Sequence, residues 1–225
     1  MQHFAADQFV APSAWPSLAG DQVHLWRVVL DGAPSAREVT ASAHALLRKM
    51  LARYAGLDHA PEIARSEHGK PYAPSVVGID FNLSHARDHV LLAFARNQPL
   101  GVDIERIDRR LALEDLARRF FSVAEADALD RLGDAERLPA FLRLWTCKEA
   151  VLKAIGQGLS FGLDRVVLAL ESDGIPTGLL HVADEAGPRA QWRLSLLEPA
   201  AGFVGALAWQ GAPRQVRTFV VPADA

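Results

Sequence analysis

The stretch Leu100–Asp108, LGVDIERID, decides how the rest of the chain is read. Leu100, Val102 and Ile104 alternate with Gly101, Asp103 and Glu105, the period of a half-buried strand. Asp103 and Glu105 then project from one face, about 7 Å apart along the chain, where two like charges repel unless a cation joins them. Further on, Leu144–Lys153, LWTCKEAVLK, reads as a helix whose Glu149 can supply a third carboxylate. Three hard oxygen donors with lysines close by suit a Mg²⁺ ion that holds substrate phosphates. Alternating acids alone more often mark a solvated strand face. Gly101, which admits another group close to the backbone, and the second acidic element shift the balance toward a site for phosphoryl-type transfer.

Working outward, a helical wheel places Phe141, Leu144, Trp145, Val151, Leu152 and Ile155 on one apolar stripe. Lys148 falls inside that stripe, and Glu149 and Lys153 sit together at its edge, one turn apart. A lysine on a core-facing side is costly unless its head reaches a carboxylate, a phosphate or water. Upstream, Val23–Leu30 reads as a strand and Ala36–Tyr54 as a helix stopped by Gly56. Phe81–Leu83 and His89–Ala95 read as a hairpin leading into the acidic strand. Residues 111–154 are mostly helical, with breaks near Ser122 and Gly133. Val166–Leu170, Gln191–Leu197, Phe203–Trp209 and Arg217–Val221 read as strands. The first twenty residues, broken by Pro12 and Pro16, read as an irregular arm. A helix-rich middle between two sheet regions is an α+β pattern, with a boundary near Gly101.

Bulk properties narrow the classes. With 225 residues, half of them hydrophobic and 23% charged, the chain can bury a sizeable core. A net charge of −3 argues against nucleic acid as a partner. Cys147 is the single cysteine, which fits a reducing compartment. No apolar run approaches bilayer length and no signal-peptide pattern opens the chain, so no membrane partner and a cytoplasmic location are expected. The histidines lack zinc-ligand spacing, and no Walker loop, dinucleotide fingerprint or GxSxG elbow is present. Lys70, fixed in the HGKP turn, and His85, following Ser84 at a strand end, remain as candidates to meet an anion.

Taken in order, HGKPY (68–72), FNLSH (81–85), GVDIERI (101–107), RFFSVAE (119–125) and LWTCKEAVLKAIGQGLS (144–160) resemble the Sfp-type 4′-phosphopantetheinyl transferases. The resemblance implies a pseudo-two-fold pair of similar α+β halves, residues 1–100 and 101–225, with coenzyme A in the cleft between them. It implies that Asp103, Glu105 and Glu149 hold Mg²⁺ and that Lys153 and His85 bind the diphosphate. Lys148 would support the acidic cluster, and Lys70 and Ser84 would touch the 3′-phosphoadenosine end. Glu149, as general base, and Lys153 would be the catalytic pair. The implied reaction joins phosphopantetheine to a serine of an apo acyl or peptidyl carrier protein and releases adenosine 3′,5′-bisphosphate. Relatives of this type usually carry a longer basic stretch before the first long helix. Here LDGAPSAREV (30–39) fills that place, leaving Arg37, Arg48 or Lys70 for the 3′-phosphate.

A cleft within one chain implies a monomer. Arg109, Arg110, Arg118 and Arg119 around Phe121 are the expected docking face for an acidic carrier protein. Two other classes compete with the transferase: a catalytically silent module that binds coenzyme A or carrier protein, and an unrelated Mg²⁺-dependent phosphohydrolase. A full set of three carboxylates argues against the first, because a pure binder needs no such metal site.

Overall fold

The computed structural model describes residues 1–32, 34–108 and 112–221. Its strands are β1 (Gln2–Ala5), β2 (Gln22–Val29), β3 (Ala64–Arg65), β4 (Pro71–Tyr72), β5 (Ile79–Ala86), β6 (His89–Arg96), β7 (Leu100–Arg106), β8 (Val166–Leu170), β9 (Pro176–Val182), β10 (Trp192–Glu198), β11 (Phe203–Gln210) and β12 (Gln215–Val220). The α-helices are α1 (Ala36–Ala55), α2 (Leu113–Phe120), α3 (Val123–Asp130) and α4 (Asp134–Ile155).

Two long helices lie against two four-stranded sheets. α1 buries Val39, Ala43, Leu47, Met50 and Leu51, spaced three and four apart, against Trp26, Val90 and Phe94. It opens with a capping box, in which Ser35 Oγ accepts from the Glu38 N–H while the Glu38 carboxylate accepts from the Ser35 N–H. α4 buries Phe141, Leu144, Val151 and Leu152 in the other core, with Val166, Leu168 and Val204. A third apolar layer joins the sheets, with Leu25, Leu91 and Ala93 of one meeting Val102, Ile104 and Leu207 of the other.

The sheets repeat one plan. Strand order is β12-β2-β6-β5 in one and β1-β10-β11-β7 in the other. In each, the first strand of a half is followed by a long helix and then by two antiparallel strands, the last of which inserts in the middle. This α+β architecture of two similar halves matches the expectation. The outer strand of each sheet comes from the far end of the chain: β1 runs parallel to β10, and β12 parallel to β2. β1 lies within the stretch read as an irregular arm, and β9 was not expected, since PTGLLHV has no clean two-residue alternation. The helical region divides into α2, α3 and α4 at Ser122 and Gly133, where the breaks were read.

β7 is buried on both faces from Leu100 to Ile104, beyond the half-burial its alternation suggested. The reason is Gly101. A Cβ there would stand 2.0 Å from the Ala150 carbonyl oxygen and 2.5 Å from the Ala154 nitrogen, both backbone atoms of α4. Gly101→Ala is therefore expected to cost about 3 kcal/mol, the upper part of the usual overpacking range. Urea unfolding checks this, and a loss below about 1 kcal/mol would show that α4 can lift off β7.

The N-terminal half also holds a buried polar chain. The Trp26 indole donates to the Tyr54 hydroxyl (2.8 Å), which lies 2.7 Å from His24 Nδ1, while His24 Nε2 lies 3.0 Å from Gln22 Oε1. Every partner is satisfied when the tyrosine donates to Nδ1 and a neutral imidazole donates from Nε2. Burial, helped by the Arg217 charge, pushes the His24 pKa down to about 4. An unfolded histidine titrates near 6.5, so between these values the unfolded chain binds the extra proton. The contribution of His24 is present above about pH 6.5 and is lost as pH falls toward 4, about 3 kcal/mol in all. Urea titrations at pH 7 and pH 4.5 should show a smaller drop in His24→Gln than in the parent, and equal drops would refute this assignment.

Candidate active site

The close approach at Gly101 brings two turns of α4 over β7, and the turn holding Glu149 and Lys153 meets the acidic strand. Lys153 Nζ donates to Asp103 Oδ1 (2.7 Å), to Ser84 Oγ (3.0 Å) and to the Val102 carbonyl (3.2 Å). Ser84 Oγ in turn donates to Asp103 Oδ1 (2.8 Å). Beside it, the Val102 N–H donates to Asn82 Oδ1 (2.9 Å). Strands from the two sheets, β5 and β7, are thus joined through side chains exactly where the halves meet in space, and Asp103 is only 6% exposed. Buried this way, the Asp103 carboxylate holds a charge-assisted bond from Lys153 and a neutral one from Ser84 in a low-dielectric setting.

Glu149 lies next to this pair. Burial is the main reason its carboxyl is pushed up to about 7; the Asp103 charge adds to the rise, Lys153 opposes it, and Glu105 contributes further. These couplings place all three carboxylates in one electrostatic neighbourhood. Among the described residues, no three His, Cys, Asp or Glu side chains are gathered at metal-ligating spacing. The Lys153 ammonium forms the ion pair with Asp103.

Glu149 and Lys153 line a cavity of about 310 Å³ with His68, Lys70, Pro71 and Phe81. A second cavity of about 430 Å³ adjoins it across Lys70, Pro71 and Phe81. Lys70 forms part of the wall between them. Its ammonium donates to the Ala154 carbonyl at the end of α4 (3.1 Å) and to the Leu100 carbonyl (3.3 Å). A cation there meets the negative end of the helix dipole. Burial lowers the Lys70 pKa to about 8, against the pull of Asp80. His85 lies 3.2 Å from Thr40 Oγ1 of α1 through Nε2. Its pKa is held below the usual range by burial first, then by Lys153 and His44.

Other candidates sit elsewhere. Lys148 does not support the acidic cluster. It is 0% exposed, and its ammonium donates to Glu125 Oε2 (2.8 Å), to the Leu163 carbonyl (3.1 Å) and to the Val166 carbonyl. Glu125 also accepts from the Leu168 N–H and from Ser122, so one buried pair ties α3, α4 and β8 together. Sequence reasoning missed Glu125, although Ser122-x-x-Glu125 is a capping-box signature. Arg48 donates to the Pro61 and Ala60 carbonyls and pins a loop, and Arg37 is exposed on the first turn of α1.

The expected docking face is also revised. Phe121 is a core residue, packed 5.0 Å from the Phe141 ring with the Lys148 ammonium 4.9 Å above its own. Arg118 is bound to Asp127 and Asp130. Arg109 and Arg110 lie outside the described residues. The exposed apolar side chain at this corner is Val123.

The family model described as the 4′-phosphopantetheinyl transferase superfamily matches residues 99–208. The chain is 32% identical over 184 residues to the 4′-phosphopantetheinyl transferase HetI of Nostoc sp., covering 68% of this chain and 76% of that protein. It is 37% identical over 130 residues to the 4′-phosphopantetheinyl transferase Sfp of Bacillus subtilis, covering 57% of each. Among solved structures, a holo-(acyl-carrier-protein) synthase from Bacillus anthracis, in complex with CoA (3′,5′-ADP), aligns with a TM-score of 0.39 at 21% identity. That alignment covers 51% of this chain and 96% of the other.

Proposed function

We propose, from the premise that this chain belongs to the 4′-phosphopantetheinyl transferase superfamily, that it moves 4′-phosphopantetheine from coenzyme A to a serine of an apo acyl or peptidyl carrier protein. The observation that carries this reading is the juxtaposition of Lys153, Asp103 and Ser84 with Glu149 on the wall of the 310 Å³ cavity. It supplies a cation and a carboxyl group near neutrality where two halves of the chain meet.

The chemistry follows from those groups. The carrier serine oxygen attacks the β-phosphorus of coenzyme A, and the bond from that phosphorus to the bridging oxygen breaks. Adenosine 3′,5′-bisphosphate leaves. Glu149, with its carboxyl held at about 7, is matched to receive the serine proton near neutral pH. Lys153 is placed to donate to a diphosphate oxygen as charge builds on it. His85 and Lys70 offer further donors along the same cleft, and Ser84 holds Lys153 and Asp103 in register.

Asp103, Glu105 and Glu149 fit a Mg²⁺ ion by donor chemistry. All three are hard oxygen donors, and the Glu149 carboxyl is raised partly by the other two, a repulsion that a bound cation would relieve. When bound, the ion would neutralise charge on the transferring diphosphate. The binding halves are read as residues 1–100 and 101–225, and because the cleft is built within one chain a monomer suffices. No helix among the described residues is long and apolar enough to cross a membrane.

The test is intact-mass measurement of an apo carrier domain incubated with the protein, coenzyme A and Mg²⁺. Conversion of the carrier to its phosphopantetheinyl form, with loss on chelation, is the expected result. Phosphate release without carrier modification would favour a phosphohydrolase, and binding without turnover would favour a silent module.

A further inference from the structure

A cavity of about 620 Å³ opens between β9, β10 and the turn before β12, sharing no residue with the two cavities of the candidate active site. Arg189, Arg193 and Arg214 line it, and no aspartate or glutamate does. None of the three arginines forms an ion pair among the described residues. That is an unusual concentration of uncompensated charge on a chain whose net charge is −3.

The guanidinium groups are also pinned. Arg189 Nη1 donates to the Leu179 carbonyl (2.9 Å), Arg193 Nη1 to the Ala190 (2.8 Å) and Trp192 (3.1 Å) carbonyls, and Arg214 Nη1 to the Gly20 carbonyl. Each spends one nitrogen on main chain and, among the described residues, makes no hydrogen bond through Nη2. Anchoring of this kind removes much of the side-chain entropy that a ligand would otherwise have to freeze.

We propose that this cavity is a second binding site, for a small organic phosphate carrying at least two negative charges. Three guanidinium groups around one concavity suit the peripheral oxygens and double charge of a phosphate better than a planar, singly charged carboxylate, which one guanidinium satisfies by itself. The volume lies in the range of small-molecule sites. Leu179, Leu194 and Pro213 provide apolar wall for an organic portion.

The test is calorimetric titration with pyrophosphate in the absence of divalent metal, begun in Lys153→Met so that binding in the candidate active site is weakened. One-to-one binding should persist in that variant and weaken at least about tenfold when Arg193→Gln and Arg214→Gln are added. Arg189→Gln, at an exposed position, should weaken it in the same direction and decides the matter if the double substitution does not fold. Loss of all binding in Lys153→Met, or residual binding indifferent to the arginines, overturns the proposal. So does displacement of pyrophosphate by a polyglutamate peptide of higher affinity, which would make the face a protein-docking surface.

Discussion

Replacing Lys148 with methionine is expected to destabilise the protein by about 3–5 kcal/mol, the usual loss when one partner of a buried ion pair is removed. The methionine keeps the volume and the packing of α4, so the loss isolates the charge. It would leave the Glu125 carboxylate 2% exposed, with only the Ser122 and Leu168 donors. It would also leave the Leu163 and Val166 carbonyls without the ammonium they now share. Desolvation lowers the Lys148 pKa and Glu125 opposes that shift, as expected of a cation whose presence depends on its counter-charge. Adding Glu125→Gln should recover part of the loss, because the stranded charge disappears. Chemical unfolding of the single and double variants provides the check. A single-variant loss under about 1 kcal/mol, or a double variant worse than the sum, would show that the pair does not act as a unit.

The second large effect concerns rate. Lys153→Met should lower kcat by about 10²–10³, the worth of one preorganised donor to developing charge. Its stem, lying against β7, is preserved by methionine, and the side chain is 27% exposed, so folding should suffer less than turnover. Steady-state kinetics with coenzyme A and an apo carrier domain separate the possibilities. An unchanged kcat with a modest rise in KM would reduce Lys153 to a peripheral binding residue.

Local pattern was enough for much of this. The alternation at Leu100–Glu105 located β7, and the 3.6-residue stripe located α4 and put Glu149 and Lys153 on its edge. Gly101 was noticed as a site of close approach, and the structure identifies α4 as what approaches. Lys148 shows where such reading stops. On the wheel it falls among apolar residues, and the carboxylate that resolves the conflict comes from a different helix, 23 residues away. Phe121 failed for the same reason: periodicity does not say which neighbour will cover a short helix end. Arg48 looked like a phosphate ligand by charge alone, while its partners are the carbonyls of a loop with no recognisable signature. β1 was missed because a four-residue edge strand carries too little pattern and owes its existence to β10.

That borrowing of edges sets the order of events in folding. The outer partner of β2, on the side away from β6, arrives only with β12, and the outer side of β10 is covered only by β1, with 193 residues separating the side chains of Gln22 and Gln215 that touch across the first of these pairs. Contacts of such sequence separation form late and slow the search. Until they form, each sheet keeps an open edge, the feature by which incomplete chains associate with one another. A chain cut near its C-terminus would lose the strand that finishes the N-terminal sheet, so damage at one end would surface as aggregation driven from the other.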